Sequence, residues 1–463
     1  MNRSKSLKSL DDELREALGE RYVITDPDIK RTNEIDWTGR FVGSASMVVS
    51  PANTQEVALT MRAAATHDVA VVAQGGNTGL VGGGVPRHGE LVLSTRRLTT
   101  LEPVDMDAAQ TTVGAGVTLA ALHRHVRSVG LDMPVDLTPR DSATIGGIVA
   151  TNAGGEKVLR YGTTRASVAG LEVVLADGTI VSRMSGLTKD NAGYDLPSLF
   201  VGSEGTLGII TQARLRLVPL YKCRTVALLA VDSTASALQV LGLLKADLRT
   251  LEAAEVFYLD GLELVCAHNE KVSSPFAQKH PAYLLIECAD RTDPTDELAE
   301  ALSTTTNVLD VAVAADQPGR AALWALREEH SGSINQRGIP LKLDVTVPTR
   351  VLASFETDLR ELVARTRPHA ELYLFGHLNE GNFHVNLLGV DPEDEELTST
   401  ILDLVVAYAG SVCSEHGVGI AKAPWLSRTR SADDINAMRA IKTALDPRGL
   451  LNPGVVLTVA TSK

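Results

Sequence analysis

The chain is poor in the features that assign a protein quickly. It has four cysteines in 463 residues, Cys223, Cys266, Cys288 and Cys413, and no two of them form a CxxC pair. That excludes a cysteine metal knuckle and a disulfide framework, and it predicts a reduced, cytoplasmic setting. A basic excess is also missing: the net charge is −13. This excludes a basic nucleic-acid-binding surface but not a locally basic pocket for a small anion. No apolar run is long enough to span a membrane, since the stretch 401–409 is short and contains Asp403. The first twenty residues carry basic side chains with no apolar run behind them, unlike a secretory signal. Their Leu7, Leu10, Leu14 and Leu18 recur at helical spacing and predict a surface helix. No Gly-Lys dipeptide occurs anywhere, so there is no Walker A loop, and no internal repeat is visible.

What is present is ordinary in bulk and uneven along the chain. Hydrophobic residues make up 44% and charged residues 22%, as in a globular protein. A chain of this length exceeds one hydrophobic core and predicts two or three domains. Residues 36–219 are rich in glycine and β-branched residues. Strands are expected at 45–51, 69–73, 91–94, 110–113, 171–176 and 209–217, and helices at 54–67 (N-cap Thr54) and 119–129. After Pro219 glycine thins out. Strands are expected at 225–231, 283–287, 308–314 and 341–347, and helices at 234–248, 296–303, 351–365 and 395–409. Strands with interspersed helices read as α+β in both halves.

Three glycine-rich stretches punctuate the first half. Residues 74–84 read QGGNTGLVGGG directly after an apolar strand. Glycines there let successive backbone N–H groups turn inward as an anion nest. Residues 142–155 read SATIGGIVATNAGG, and residues 201–210 read VGSEGTLGII. Gly114-Ala115-Gly116 lacks the third glycine of a dinucleotide fingerprint, Leu119 standing there, and reads as a strand-to-helix turn. Three such turns without a nucleotide-hydrolysis motif fit a long folded cofactor, FAD being the natural candidate.

The second half carries FGHLNEGNFHVN at 375–386. Apolar, aromatic flanks read as two strands, with Asn379, Glu380, Gly381 and Asn382 as the turn between them. A hairpin brings His377 and His384 onto neighbouring strands, and period 2 puts His384 and Asn386 on one face. Downstream, Ser414-Glu415-His416-Gly417 offers a further ligand. Two imidazoles and a carboxylate form a common divalent-metal set; solvated hairpin histidines give the same pattern.

The segments QGGNTGLVGG, ATIGGIVATNAGG, LRYGTTRASVAGLEVVLADGT and LFVGSEGTLGIIT closely resemble the FAD domain of the vanillyl-alcohol oxidase / p-cresol methylhydroxylase superfamily. The second half resembles its FAD-linked D-2-hydroxyacid dehydrogenases, the members acting on D-2-hydroxyglutarate first, with D-lactate and glycolate enzymes close by. The resemblance implies an α+β chain: a helical segment at 1–35, a two-subdomain PCMH-type FAD-binding domain at 36–219, a cap with an antiparallel sheet at 220–440, and a return to the FAD domain at 441–463. It implies a grip on FAD by Gln74, Gly75, Gly76, Asn77, Thr78, Gly79, Thr144, Gly146, Gly147, Asn152, Gly154, Gly155, Tyr161, Glu204, Gly205, Gly208, Ile209 and Asn452. Asn77-Thr78 stand where covalently flavinylated relatives carry a histidine, which implies non-covalent FAD.

For the substrate side, Trp324–Glu328 (WALRE) matches a segment whose arginine, here Arg327, holds a substrate carboxylate. Ser331 adds a hydroxyl, Lys342 is the matching lysine, and Asn386 hydrogen-bonds the substrate. His377, His384 and Glu415 match the ligands of a divalent metal, zinc in first place, and His416 matches the base. An arginine and a lysine converging on one pocket suit a dianion. Asn379-Glu380 depart from the family's Gly-Asp, which bears on the turn's conformation. The implied reaction is proton removal from a metal-polarised hydroxyl with hydride transfer to flavin N5. Electrons then pass to an electron-transfer flavoprotein or a quinone, and a homodimer is an open possibility. Two rival readings stand beside this one: a D-lactate or glycolate dehydrogenase or oxidase, and a non-catalytic flavin- or metal-binding subunit of a larger complex.

Overall fold

Short, wholly apolar strands build the first unit. Met47–Val49, Val71–Gln74 and Leu91–Ser94 pair in parallel, with Leu91–Ser94 in the middle and Val23–Ile24 added antiparallel at one edge. Continuous apolar runs are what a sheet covered on both faces requires. The helix Thr54–His67 lies on this unit's core, burying Val57, Met61 and Ala64 completely. Each fully buried Val or Met is worth roughly 1.5–3 kcal/mol. Its N-cap is Asn53, whose side chain accepts the Glu56 N–H, and not Thr54, whose hydroxyl is spent on Glu172 and Thr211. The N-terminal helix Arg3–Leu18 is an amphipathic surface helix: Leu10 and Leu14 are wholly covered against the core, and Asp12, Glu13 and Glu16 are exposed. A second sheet, antiparallel, runs Gln110–Gly114, Ile209–Arg216, Val168–Val174, Ile180–Arg183.

The second unit is one seven-stranded antiparallel sheet. Its order is Asp310–Ala314, Cys223–Val231, Ala282–Asp290, Leu251–Tyr258, Glu371–His377, Asn382–Leu388, Leu341–Thr346. Helices Thr234–Asp247, Leu259–His268, Gln317–Glu328, His330–Arg337 and Leu352–Thr366 belong to the same unit. The strand Leu251–Tyr258 was not expected from the sequence, and it supplies the two most buried glutamates of the unit, Glu252 and Glu255, each 1% exposed.

The computed structural model describes residues 3–458. The chain divides into Met1–Gly155, Thr163–Leu220 and Glu415–Lys463 as one unit, and Glu156–Gly162 and Tyr221–Ser414 as the other. The first unit's middle segment ends at Leu220, and the second unit's main segment begins at Tyr221. The return to the first unit begins at Glu415 and not at 441, and residues 1–35 are part of that unit. The first two and last five residues of those expected segments lie outside the described residues. The fold is α+β, as expected.

Candidate active site

In the first unit the glycine loops and the C-terminal return meet at Asn452. Its Oδ1 accepts the Ala73 N–H at 2.9 Å, and its Nδ2 donates to Gly83 O at 3.3 Å and Glu204 O at 2.7 Å. One buried side chain thus ties two of the three loops. Asn77, Asn152, Glu204 and Asn452 all hold left-handed backbones, with φ of 57°, 51°, 51° and 41°. Each costs roughly 1–3 kcal/mol, and such residues persist where the surroundings over-determine them. Gln74 is buried and donates to Asn33 O at 2.9 Å and Gly84 O at 2.8 Å; Asn77 Nδ2 donates to Ile35 O at 2.8 Å.

The glycines answer a packing demand. A Cβ at Gly75 would lie 2.2 Å from Thr144 Oγ1, and one at Gly76 would lie 1.9 Å from Ser142 O. The first loop therefore touches the start of the second, and Thr78 follows within it. A Cβ at Gly146 would meet the Ala115 Cβ at 2.6 Å, so the helix Ile145–Thr151, which also contains Gly147, approaches its neighbour through that glycine. Gly155 follows Gly154, and a Cβ there would sit 2.0 Å from Asp136 O. Gly205, at φ 71°, and Gly208 lead into Ile209, the first residue of its strand. By contrast, Gly79 faces open space. Among these loops the buried hydroxyls of Thr144 and Ser203 find no protein partner. An unsatisfied buried hydroxyl costs roughly 1–3 kcal/mol. A glycine cradle with two orphaned hydroxyls suits a phosphate- and sugar-bearing cofactor, so the residues fit FAD.

Two of the expected grips are occupied otherwise. Tyr161 belongs to the second unit, where its hydroxyl donates to Glu252 at 2.8 Å. Burial, then the Glu252 charge, push that hydroxyl far above its ordinary range. The Glu204 carboxylate accepts the N–H groups of Val418 and Gly419 at 2.7 and 2.8 Å.

In the second unit the hairpin forms as Glu371–His377 and Asn382–Leu388. Asn382 is a strand residue and not a turn residue: its Nδ2 donates to Asp344 Oδ1 at 2.8 Å and Val345 O at 2.9 Å. The turn departs from the family pattern and is well held. Lys245 Nζ donates to Asn379 Oδ1 at 2.6 Å, and Asn379 Nδ2 donates to Glu380 at 3.0 Å. Burial raises the Glu380 carboxyl above its usual range.

The imidazoles of His377 and His384 are buried with ring centroids 5.4 Å apart. Each has a carboxylate at Nδ1: Glu255 at 2.6 Å from His377, and Asp344 at 3.5 Å from His384. At 2.6 Å the Glu255 carboxylate selects the His377 tautomer that leaves its Nε2 as the lone-pair nitrogen. Imidazole nitrogens backed by carboxylates are donors that suit a divalent cation. Glu255 reaches further, pairing its other oxygen with Arg327 Nη2 at 2.8 Å. Arg327 stacks over Phe375 at 4.6 Å, and its Nε–H is buried with no partner. Lys342 lies directly across from Asn386 in the strand register. Burial lowers the Lys342 ammonium pKa, and no carboxylate pairs with it among the described residues. Ser331 lies in a separate helix, His330–Arg337, because the WALRE helix ends at Glu328 and the chain bends at Glu329.

The motif after Ser414 bridges the chain's two units in sequence. Ser414 N–H donates to Asp344 Oδ2 at 3.2 Å within the second unit. The next residue, Glu415, belongs to the first unit, where the Gly155 N–H reaches its Oε2 at 3.4 Å. His416 Nε2 lies 3.5 Å from Glu415 Oε1.

Asp344 and Glu255 escaped the sequence reading. Both signals were visible as carboxylates inside apolar strand runs, one in LKLDVT and two in LEAAEVFY. A charged residue in such a run is buried only with partners.

Residues 45–183 match the FAD binding domain model, and residues 221–456 match that of the FAD linked oxidases, C-terminal domain. The chain is 39% identical over 433 residues to D-2-hydroxyglutarate dehydrogenase of Xanthomonas citri pv. viticola, covering 90% of each chain. It is 34% identical to the enzyme of the same name from Stutzerimonas stutzeri, over 97% of this chain and 98% of that one. The mitochondrial D-2-hydroxyglutarate dehydrogenase of Bos taurus is 37% identical over 93% of this chain and 80% of its own. In fold the chain is similar to p-cresol methylhydroxylase with substrate bound (TM-score 0.78, 15% identity, 99% and 98% of the two chains). It is likewise similar to 4-ethylphenol oxidase from Gulosibacter chungangensis (TM-score 0.76, 18% identity, 98% and 97%). By these matches the chain belongs to the FAD-linked D-2-hydroxyacid dehydrogenases, and it shares its fold with p-cresol methylhydroxylase and 4-ethylphenol oxidase.

Proposed function

We propose that this enzyme oxidises D-2-hydroxyglutarate to its 2-oxo acid. The observation that carries the substrate is a half-buried cation with no counter-charge among the described residues. Among the described residues Lys342 has no carboxylate partner, and the buried Arg327 Nε–H has no acceptor. In a chain of net charge −13, unpaired buried donors of this kind are retained for an anion. Two of them suit a dicarboxylate better than a monoacid.

Arg327 and Lys342 bind the two carboxylates. Asn386, held by its Nδ2 to His384 O at 3.2 Å, directs its amide oxygen at the substrate, and Ser331 adds a hydroxyl. His377, His384 and Glu415 would hold a divalent cation, zinc in first place, which supplies Lewis-acid polarisation of the C2 hydroxyl. Non-covalently bound FAD, gripped by the glycine loops and Asn452, supplies the hydride acceptor. His416 takes the hydroxyl proton, so the C2–H bonding pair leaves and the C2–O bond becomes a carbonyl. The electrons leave to an electron-transfer flavoprotein or a quinone. No helix among the described residues is long and apolar enough to cross a membrane.

A dye-coupled panel of D-2-hydroxyglutarate, D-malate, D-lactate and glycolate tests the substrate. The dicarboxylates should give the highest kcat/KM. Turnover of the monoacids alone would overturn the assignment and favour a D-lactate or glycolate enzyme.

A further inference from the structure

The stretch Glu415-His416-Gly417-Val418-Gly419 has no helix or strand to hold it. Gly417 and Gly419 take left-handed backbones, at φ 85° and 53°. Something else must fix a loop that carries a base. Two consecutive N–H groups, those of Val418 and Gly419, converge on the Glu204 carboxylate at 2.7 and 2.8 Å, one on each oxygen. This is an anion nest filled by the protein's own side chain. The approach depends on Gly417, where a Cβ would lie 3.0 Å from the Glu204 carboxyl carbon. On the far side, Ile420 and Ala421 donate to Val81 O at 3.0 and 3.2 Å, and Val456 N–H donates to Gly419 O at 3.0 Å.

Glu204 is itself held. Its N–H donates to Ala150 O at 2.8 Å, and its carbonyl accepts from Asn452 Nδ2 at 2.7 Å. Both carboxylate oxygens are spent on peptide N–H groups, and a carboxylate would repel a cofactor phosphate. The motif VGSEGTLG therefore has two trades: Ser203 keeps a buried, unpartnered hydroxyl, and Glu204 faces the loop of the base.

We propose that Glu204 is a positioning residue that sets His416 through the Val418 and Gly419 peptides. The proposal rests on the reading of His416 as the base. Hydrogen bonds to a carboxylate are roughly twice as strong as neutral ones, so the Glu204 pair outweighs the loop's peptide–peptide bonds to Val81 and Val456.

The test uses the FAD-loaded enzyme and two variants, Glu204→Gln and His416→Ala. Glu204→Gln keeps the shape and one acceptor but turns an NH₂ toward the second peptide N–H. Expected are unchanged flavin content, KM within about twofold, and kcat lowered roughly 10- to 100-fold. Amide exchange in peptides spanning 415–421 should rise at least about tenfold, with no change in peptides from the Thr54–His67 helix. Wild-type exchange at 415–421 would overturn the clamp, and so would a loss confined to flavin content or KM. An active His416→Ala enzyme would sink the base and this proposal's catalytic half. The exchange data alone would then decide whether Glu204 orders the loop.

Discussion

Glu255 is the residue on which the second unit's site can be broken most cleanly. It is 1% exposed and carries two jobs at once, His377 Nδ1 at 2.6 Å and Arg327 Nη2 at 2.8 Å. At an effective dielectric of about 20 and roughly 4 Å between charge centres, the ion pair with Arg327 is worth about 4 kcal/mol of attraction. Glu255→Gln removes that charge but keeps one acceptor. Its NH₂ must then face a donor, either the imidazole or the guanidinium. One charge-assisted hydrogen bond is therefore lost, worth roughly 1.5–3 kcal/mol, or about 10- to 150-fold. Loss of a carboxylate behind a metal-binding histidine costs typically about 10- to 100-fold in metal affinity, the same range from an independent direction. Weaker pairing also frees the Arg327 charge for substrate, which opposes the loss in KM. Orientation decides the sign, because a freed guanidinium is no longer aimed. The assay is metal content after chelator dialysis alongside dye-coupled kinetics. Expected are a loss of bound metal and a fall in kcat/KM of about two orders of magnitude at most. Wild-type metal content with kcat/KM within twofold would refute the reasoning.

Other outcomes follow from the same geometry. Lys342→Met should raise KM for D-2-hydroxyglutarate roughly 10- to 100-fold, with a much smaller effect on D-lactate. In the wild type, burial lowers the Lys342 pKa below its ordinary 10.5. The anion-binding ammonium is present at low pH and lost as pH rises through that lowered value, so KM for the dicarboxylate should climb on the alkaline side before pH 10.5. A pH-independent KM would remove Lys342 from the pocket. Asp344→Asn should lower bound metal while leaving flavin in place, because Asp344 faces His384 Nδ1; equal metal content would show that the carboxylate does not orient the histidine. Gly76→Ala puts a methyl 1.9 Å from Ser142 O. It should lower flavin occupancy and cost about 1–3 kcal/mol of stability in a thermal melt.

Much of this was legible where one residue type meets one physical need. Glycines in 74–84 announced a backbone that had to turn and be approached, and Gly75 and Gly76 meet that demand against Thr144 and Ser142. Aromatic and β-branched flanks announced the hairpin. Its turn shifted by one residue because Asn382 is drawn into the sheet by Asp344 and Val345 O, a long-range pull that local turn chemistry cannot register. Glu204 looked like part of a cofactor loop because its neighbours are. Its carboxylate instead binds peptides 214 and 215 residues away, a distance no local pattern spans. Glu255 and Asp344 were hidden by the apolar strands around them, and their partners became visible only once strand pairing was known. Tyr161 sits in a short excursion, Glu156–Gly162, that leaves one unit for the other, and composition does not change across it.

The most direct measurement is anaerobic addition of D-2-hydroxyglutarate to the flavin-loaded protein, with the L enantiomer as control. The account predicts bleaching of the oxidised-flavin band by the D enantiomer alone, with 2-oxoglutarate formed in equal amount to reduced flavin. A protein purified with flavin that no 2-hydroxyacid can bleach would contradict it.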